Sequence, residues 1–408
     1  MNVKILNIDY IYTNEKLLKG QAVAYEKSIV KIAPLADLQA LYKDAEVIDG
    51  GTNSLLMPGL INAHVHLEFS ANKHSLKYGD FLEWLYSVIN QREDLINACG
   101  TECMQKAIKR MLDSGITTFG AVSSHGMDLE AAANAPQNVV FFNELIGSQA
   151  SMADMLFGDF TQRLNASKAI QREGFYPAIA IHSPYSVHPV LIKKALDIVR
   201  DEKLPLSAHF LESPAEQEWL TKSEGDFKPF FENFLKQESA VTNVEEFLHS
   251  FKDIPTLMTH VVQAKEKELT ALAASKHTVI HCPISNRLLG NGAIDLDALD
   301  AHGIRWICAT DGLSSNYDLD LFEEMKIALF MHHGADLLTL AKRLFKSVTK
   351  DAADALGLNT GEIKEHKNAD MLLIDLGYEP NEQLPLHLLL HKPEIKKVYI
   401  NGKQVKGD

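Results

Sequence analysis

Eight short apolar runs separated by longer amphipathic stretches constrain this chain more than any other feature. They read LLMPGLINAHVH, ITTFGAVS, VVFFNELIG, YPAIAIHS, LPLSAHFLE, TLMTHVV, HTVIHCPIS and RWICATDG. Segments such as TECMQKAIKRMLDSG, PVLIKKALDIVRDEK and KELTALAASK lie between them with helical spacing of their apolar residues. Strands that alternate with helices predict a parallel sheet. Eight such units predict an α/β fold closed into a (β/α)8, TIM-like barrel, with an open doubly wound sheet as the alternative. No GxGxxG or GxxxxGK[ST] follows any of the runs, so nothing in them cradles a nucleotide phosphate.

The two ends of the chain read differently. VKILNIDYIYT, QAVAYEKSIVKIA and AEVIDGGTNSLLMPG at the start, and NADMLLIDL and KKVYINGKQVK at the end, are short β-rich segments, the last with an Asn-Gly turn. They predict a small β-sandwich domain built from residues 1–56 and 364–408 around a barrel over 57–363. The stretch 213–255, with FKPFFENFLKQE, is a long helical excursion over the barrel mouth, either an ordinary insertion or a substrate lid.

Composition narrows the function classes. The chain has 408 residues, 46% hydrophobic and 23% charged, which suits a globular enzyme and excludes a largely disordered chain. Its net charge is 40 − 54 = −14 with no basic block, which argues against nucleic acid as a partner. No apolar run reaches the roughly 18–20 residues of a membrane span. The start MNVKILNIDYIYTNE lacks the pattern of a signal peptide, so the expected location is the cytoplasm. Cys99, Cys103, Cys282 and Cys308 form no CxxC pair and are expected to be buried free thiols.

Five runs end in residues that are costly to bury unless paired or bound to metal. The first ends His64-Val65-His66, and positions two apart on a strand point the same way. The fifth ends His209-Phe210-Leu211-Glu212, the sixth carries His260, the seventh His281 and the eighth ends at Asp311. All fall at carboxyl ends of strands, where a barrel keeps its active site. Imidazole and carboxylate donors without cysteine suit zinc or iron better than magnesium or calcium.

The ordered segments PGLINAHVHLE, HSPYSVHP, HFLES, THVV, HCPISN and TDGLSSN resemble the amidohydrolase superfamily, and within it the branch of purine-nucleoside and triazine aminohydrolases. The resemblance extends to GEIKEHKNADMLLIDL and VYINGKQV of the β domain. It implies a metal-dependent hydrolase barrel with one divalent ion, zinc first and iron second, held by His64, His66, His209 and Asp311. It makes Glu212 the proton shuttle and His260 the residue that holds the attacking water. His182 would face the substrate; Ser285, Asn286, Ser315 and Asn316 would shape the walls, and His281 would join the substrate-binding set. The carboxylated lysine of binuclear members is not implied, because the fourth run ends at His182.

The implied chemistry suits these residue types. Asp311 takes a proton from water, Glu212 protonates a ring nitrogen and His260 steadies the oxygen, so that addition followed by loss of ammonia is deamination. In FLEWLYSVINQRE, Trp84 precedes Glu93 by nine positions, as in adenosine-type members, in which the glutamate binds ribose hydroxyls. Homocysteine-accepting members carry an arginine after the third strand; here the segment reads NELIGSQA. FFNELIGS, IRWICATDGLSSNYDLDLFEEMKIA and FMHH look like the group that deaminates aminodeoxyfutalosine on the futalosine route to menaquinone. That substrate is an adenine nucleoside with a carboxyphenyl group on its 5′ side, which requires an aromatic slot and one cation; Trp84, Phe69 and Trp219 are candidates for the slot. Rival expectations are deamination of 5′-methylthioadenosine, S-adenosylhomocysteine or adenosine, a triazine-type chlorohydrolase, and a non-enzymatic member. The expected partners are the nucleoside and water, with no nucleic acid and no membrane, and barrels of the family that the chain resembles often pair as homodimers.

Overall fold

The eight runs become eight parallel strands, Leu60–Val65, Ile116–Ser123, Asn138–Leu145, Phe175–Ile181, Leu206–Phe210, Leu257–His260, Thr278–His281 and Arg305–Cys308, each bonded to the next in chain order. The computed structural model describes residues 3–72 and 74–407. Both faces of these strands are covered, which is why the runs show no polar alternation: all eight residues of Asn138–Leu145 are buried. Alternate side chains sort into two clusters. Ile61, Ala63, Val140, Phe142, Ala178, Ile280 and Ile307 fill the barrel together with Ala352, Ala353 and Leu356. Phe119, Phe141, Val279 and Trp306 pack outward in the larger cluster with the surrounding helices. Asn62 stitches the last strand to the first: its amide donates to Thr310 Oγ1 at 2.7 Å and its carbonyl accepts from Thr310 N at 3.1 Å.

One irregularity of the first strand sets up the site. Ala63 belongs to the inner cluster and Val65 to the outer one, although a regular strand would put both on one side. The ladder to the second strand slips between Asn62 and Val65, which turns His64 and His66 inward. The second strand comes close enough only because residue 120 is glycine: a Cβ there would lie 2.3 Å from the carbonyl oxygen of Ala63.

Strands from both chain ends share one six-stranded sheet, in which Met371–Asp375 pairs antiparallel with Ser54–Pro58. A four-stranded sheet of Lys4–Asn7, Ala22–Tyr25, Ile29–Ala33 and Glu46–Asp49 packs on it, with Leu6, Val23 and Tyr25 meeting Leu56, Leu373 and Tyr399. The strand-rich reading of the C-terminal segment omits one element, the helix Leu384–His391, which packs on the barrel helices Leu321–Met331 and Leu337–Ser347. Its sequence LPLHLLLH has no clear period, but Pro385 in its first turn suits a helix start. The long connection folds into helical pieces Pro214–Lys222, Phe227–Phe230, Phe231–Leu235 and Val244–Ser250. Among the described residues no helix is long and apolar enough to cross a membrane.

Candidate active site

Imidazole nitrogens of His64, His66 and His209 lie within 4.8 Å of one another. Nε2 of His66 and Nε2 of His209 are 3.4 Å apart, and Asp311 Oδ1 lies 3.5 Å from His64 Nε2 and 3.6 Å from His66 Nε2. Nε2 of His64 is buried without a hydrogen-bond partner. His209 donates its Nδ1–H to the carbonyl of His182 at 2.8 Å, which leaves its Nε2 lone pair facing the other rings. Burial lowers the pKa of His64 and, together with the neighbouring imidazoles, lowers that of His209 far more, so both are neutral donors. Burial pushes the Asp311 carboxyl up, but its close approach to the imidazoles of His64, His66 and His260 outweighs burial and holds it well below the usual range. Three imidazoles converging on a carboxylate, one of them with an orphaned buried nitrogen, fit a divalent cation.

The groups around this cluster are fixed from behind. Ser285 Oγ and Ser315 Oγ each donate to Asp311 Oδ2 at 2.8 Å. Asn286 Oδ1 accepts from His260 Nδ1 at 2.9 Å, so Nε2 of His260 carries the lone pair, 3.6 Å from Glu212 Oε1 and 3.9 Å from Asp311 Oδ2. Burial takes the pKa of His260 down to about 4, so the ring is neutral. Glu212 is buried and accepts from the Asn291 amide at 3.2 Å. Burial first, then the charges of Asp311 and Glu216, push its carboxyl well above the usual range, toward the protonated form. Glu216 holds the loop that presents it, accepting from Leu211 N at 3.1 Å and Glu212 N at 2.7 Å. Leu211, His260 and Asp311 all have left-handed backbones, with φ of 47°, 73° and 58°. Non-glycine residues there cost roughly 1–3 kcal/mol each, strain of a kind that collects at functional sites.

These groups open on a cavity of about 510 Å³, within the range that binds small molecules. His66, His209, Glu212, His260, Asp311, His182 and Ser315 line it, as do Trp84 and Phe69. Trp84 is anchored by Nε1 donating to Ser314 O at 2.8 Å, and His182 Nδ1 lies 2.5 Å from Ser186 Oγ. Phe227 of the long connection packs 4.9 Å from Tyr185 and 6.0 Å from Phe81, two further wall residues.

Several sequence-based placements change. Glu93 is exposed on the helix Phe81–Ala98 and does not line the cavity; one step back, Arg92 does, because the inward stripe runs through 81, 84, 85, 88, 89 and 92. His281 faces outward with Val279, its Nε2 3.1 Å from His332 Nε2. Asn286 and Ser285 stand behind His260 and Asp311 and do not line the cavity. Asn316 donates to Thr310 O at 2.6 Å and to the buried Glu324, which also accepts from Ile284 N, so it ties the seventh and eighth loops together. Trp219 is buried, stacked 4.5 Å from Phe231.

Sequence reasoning also missed Glu216, Asn291 and Glu144. Glu144 is the penultimate residue of the third strand, fully buried and lining the cavity. Its Oε2 accepts from Ser124 Oγ at 2.6 Å, while Oε1, 3.8 Å from His209 Nδ1, has no hydrogen-bond partner. A carboxylate inside an apolar run, FFNELIG, was the available signal.

The model of the amidohydrolase family matches residues 55–405. The chain belongs to the amidohydrolase family. It is 46% identical to the aminodeoxyfutalosine deaminase of a Nitratiruptor species over 404 residues, 98% of this chain and 99% of that one. It is 35% identical to the adenosine deaminase of Helicobacter pylori, over 96% of this chain and 97% of that one. The crystal structure of Helicobacter pylori aminofutalosine deaminase in complex with methylthio-coformycin superposes with a TM-score of 0.94 at 33% identity, over 99% of this chain and 100% of that one.

Proposed function

We propose that this protein hydrolyses the 6-amino group of an adenine nucleoside, and that its substrate is 6-aminodeoxyfutalosine, released as futalosine and ammonia. The observation that carries the reading is the buried Glu212 carboxyl set across His260 from Asp311, beside three converging imidazoles. Similarity over nearly the whole length of the aminodeoxyfutalosine deaminase of Nitratiruptor supports the choice of nucleoside.

His64, His66, His209 and Asp311 would hold one divalent ion, zinc before iron. Such an ion, when bound, lowers the pKa of water toward neutrality. Asp311, its plane fixed by Ser285 and Ser315, accepts a proton from the attacking water. His260, with Nδ1–H held by Asn286, presents Nε2 as the acceptor that orients that water. Glu212 gives its proton to the ring nitrogen beside the attacked carbon, so that no anion builds on the purine. The proton on Asp311 passes to the exocyclic amine, the carbon–nitrogen bond breaks and ammonia leaves. The proton left on the new oxygen restores Glu212 as the carbonyl forms. His182 and Trp84 wall the nucleoside.

Metal-replete protein incubated with aminodeoxyfutalosine is expected to release one ammonia per nucleoside while the adenine spectrum becomes that of hypoxanthine. No ammonia from any 6-aminopurine nucleoside would refute the reading.

A further inference from the structure

The cavity wall contributed by the helix Phe81–Ala98 is apolar at Phe81, Trp84, Leu85, Val88 and Ile89 and then ends in Arg92. Two guanidinium groups reach this cavity, and they differ in what they are free to do. Arg163 is committed: Nε donates to Asp159 at 2.9 Å, and its terminal nitrogens donate to the carbonyls of Ser123 at 3.3 Å and Glu144 at 2.9 Å. Arg92 has no carboxylate within 4 Å among the described residues. Its polar partner is the His125 ring, with Nε2 at 2.9 Å from the guanidinium. Burial, then the charge of Arg92, lowers the pKa of His125, so this contact orients the guanidinium without neutralising it. The His125 backbone is itself pinned, its N–H donating to the buried Glu68 carboxylate at 3.0 Å. The Phe69 ring stands edge-on to His125 with centroids 6.5 Å apart.

An uncompensated fork of donors at the end of an apolar stripe, in a chain of net charge −14, is a receptor for an anion carried on an apolar group. We propose that Arg92, oriented by His125, is the specificity-determining residue that binds a carboxylate on the aromatic 5′ substituent of the substrate, an assignment that rests on the nucleoside-deaminase reading above. The stripe from Phe81 to Ile89 covers the ring, and the guanidinium closes the slot at the charged end. The Arg92 contact lies outside the reacting groups, so its role is selection of substrate rather than proton transfer.

The test measures kcat/KM of metal-replete wild type, Arg92→Ala and Arg92→Lys on aminodeoxyfutalosine and on 5′-methylthioadenosine, the same nucleoside core with no carboxylate. The readout is the ratio of the two kcat/KM values. That ratio is expected to fall at least about tenfold in Arg92→Ala, with the loss carried by KM, because one charge-assisted contact is removed from binding and none from the chemical step. Arg92→Lys, which keeps charge but not the planar fork, is expected to fall between the two. An unchanged ratio in Arg92→Ala, with wild type still preferring aminodeoxyfutalosine, overturns the assignment to Arg92 and leaves the substrate reading standing. A wild-type protein with no preference for the carboxylate-bearing nucleoside overturns both.

Discussion

Replacing Glu212 with glutamine isolates one proton. Gln fills the same space, and its carbonyl still accepts from the Asn291 amide that now lies 3.2 Å from Glu212 Oε1. Burial and the charges of Asp311 and Glu216 push the wild-type carboxyl well above the usual range, toward the neutral form that the amide mimics. No side chain of the His64, His66, His209 and Asp311 cluster is altered, and bound metal should stay at the wild-type stoichiometry. What disappears is the donor to the ring nitrogen. A positioned general acid is worth about 10²–10⁴-fold, or about 2.7–5.5 kcal/mol of barrier. The assay is the initial rate of ammonia release, read with metal content by elemental analysis. A loss of less than tenfold with full metal occupancy would remove Glu212 from the mechanism.

Three other perturbations separate metal, positioning and stability. His64→Ala removes one of four donors; because loss of an outer-shell partner already costs about 10–100-fold in affinity, dialysed variant should carry far less than one ion per chain, and retained stoichiometric metal would contradict the ligand set. Glu216→Gln points an amide at a backbone N–H that now has an acceptor; the unpaired N–H should cost about 1–3 kcal/mol in denaturant unfolding, and kcat should fall because Glu212 loses its anchor. Unchanged kcat would show that Glu216 serves the fold alone. Asp128 is buried, and burial followed by the charge of Glu68 pushes its carboxyl up to about 8 from 3.8. The folded state therefore holds a proton that the unfolded chain releases, and this contribution to stability declines as pH rises from about 4 to about 8. Asp128→Asn should flatten that decline, so its Tm should gain on wild type between pH 5 and pH 8; parallel Tm curves would refute the shifted carboxyl.

The barrel was legible because apolar runs of strand length recur eight times, and the reacting groups stood out because histidines and acids interrupt those runs at their carboxyl ends. What lay beyond reach is a matter of phase. Nothing in HCPIS tells which way His281 turns, since its orientation follows from the inward placement of Ile280 one residue earlier. Glu93 and Arg92 are adjacent in sequence, and a rotation of about 100° per residue decides which of them meets the cavity. Ser285 and Asn286 were visible as polar residues near the site, but their partners, Asp311 and His260, come from other strands. Glu216 looks like an ordinary helix acid in SPAEQEW until the loop before it folds back and offers two backbone N–H groups. The helix Leu384–His391 escaped for a different reason, because its leucines satisfy helix and buried strand alike.

A cavity that takes an adenine nucleoside with a carboxylate-bearing 5′ group must rank its substrates by that group. The most direct measurement is kcat/KM of the metal-replete protein on aminodeoxyfutalosine, 5′-methylthioadenosine, S-adenosylhomocysteine and adenosine, taken side by side. Aminodeoxyfutalosine is expected to lead by at least tenfold, about 1.4 kcal/mol of transition-state discrimination. A lead by any of the other three would contradict the account and leave a deaminase of different substrate.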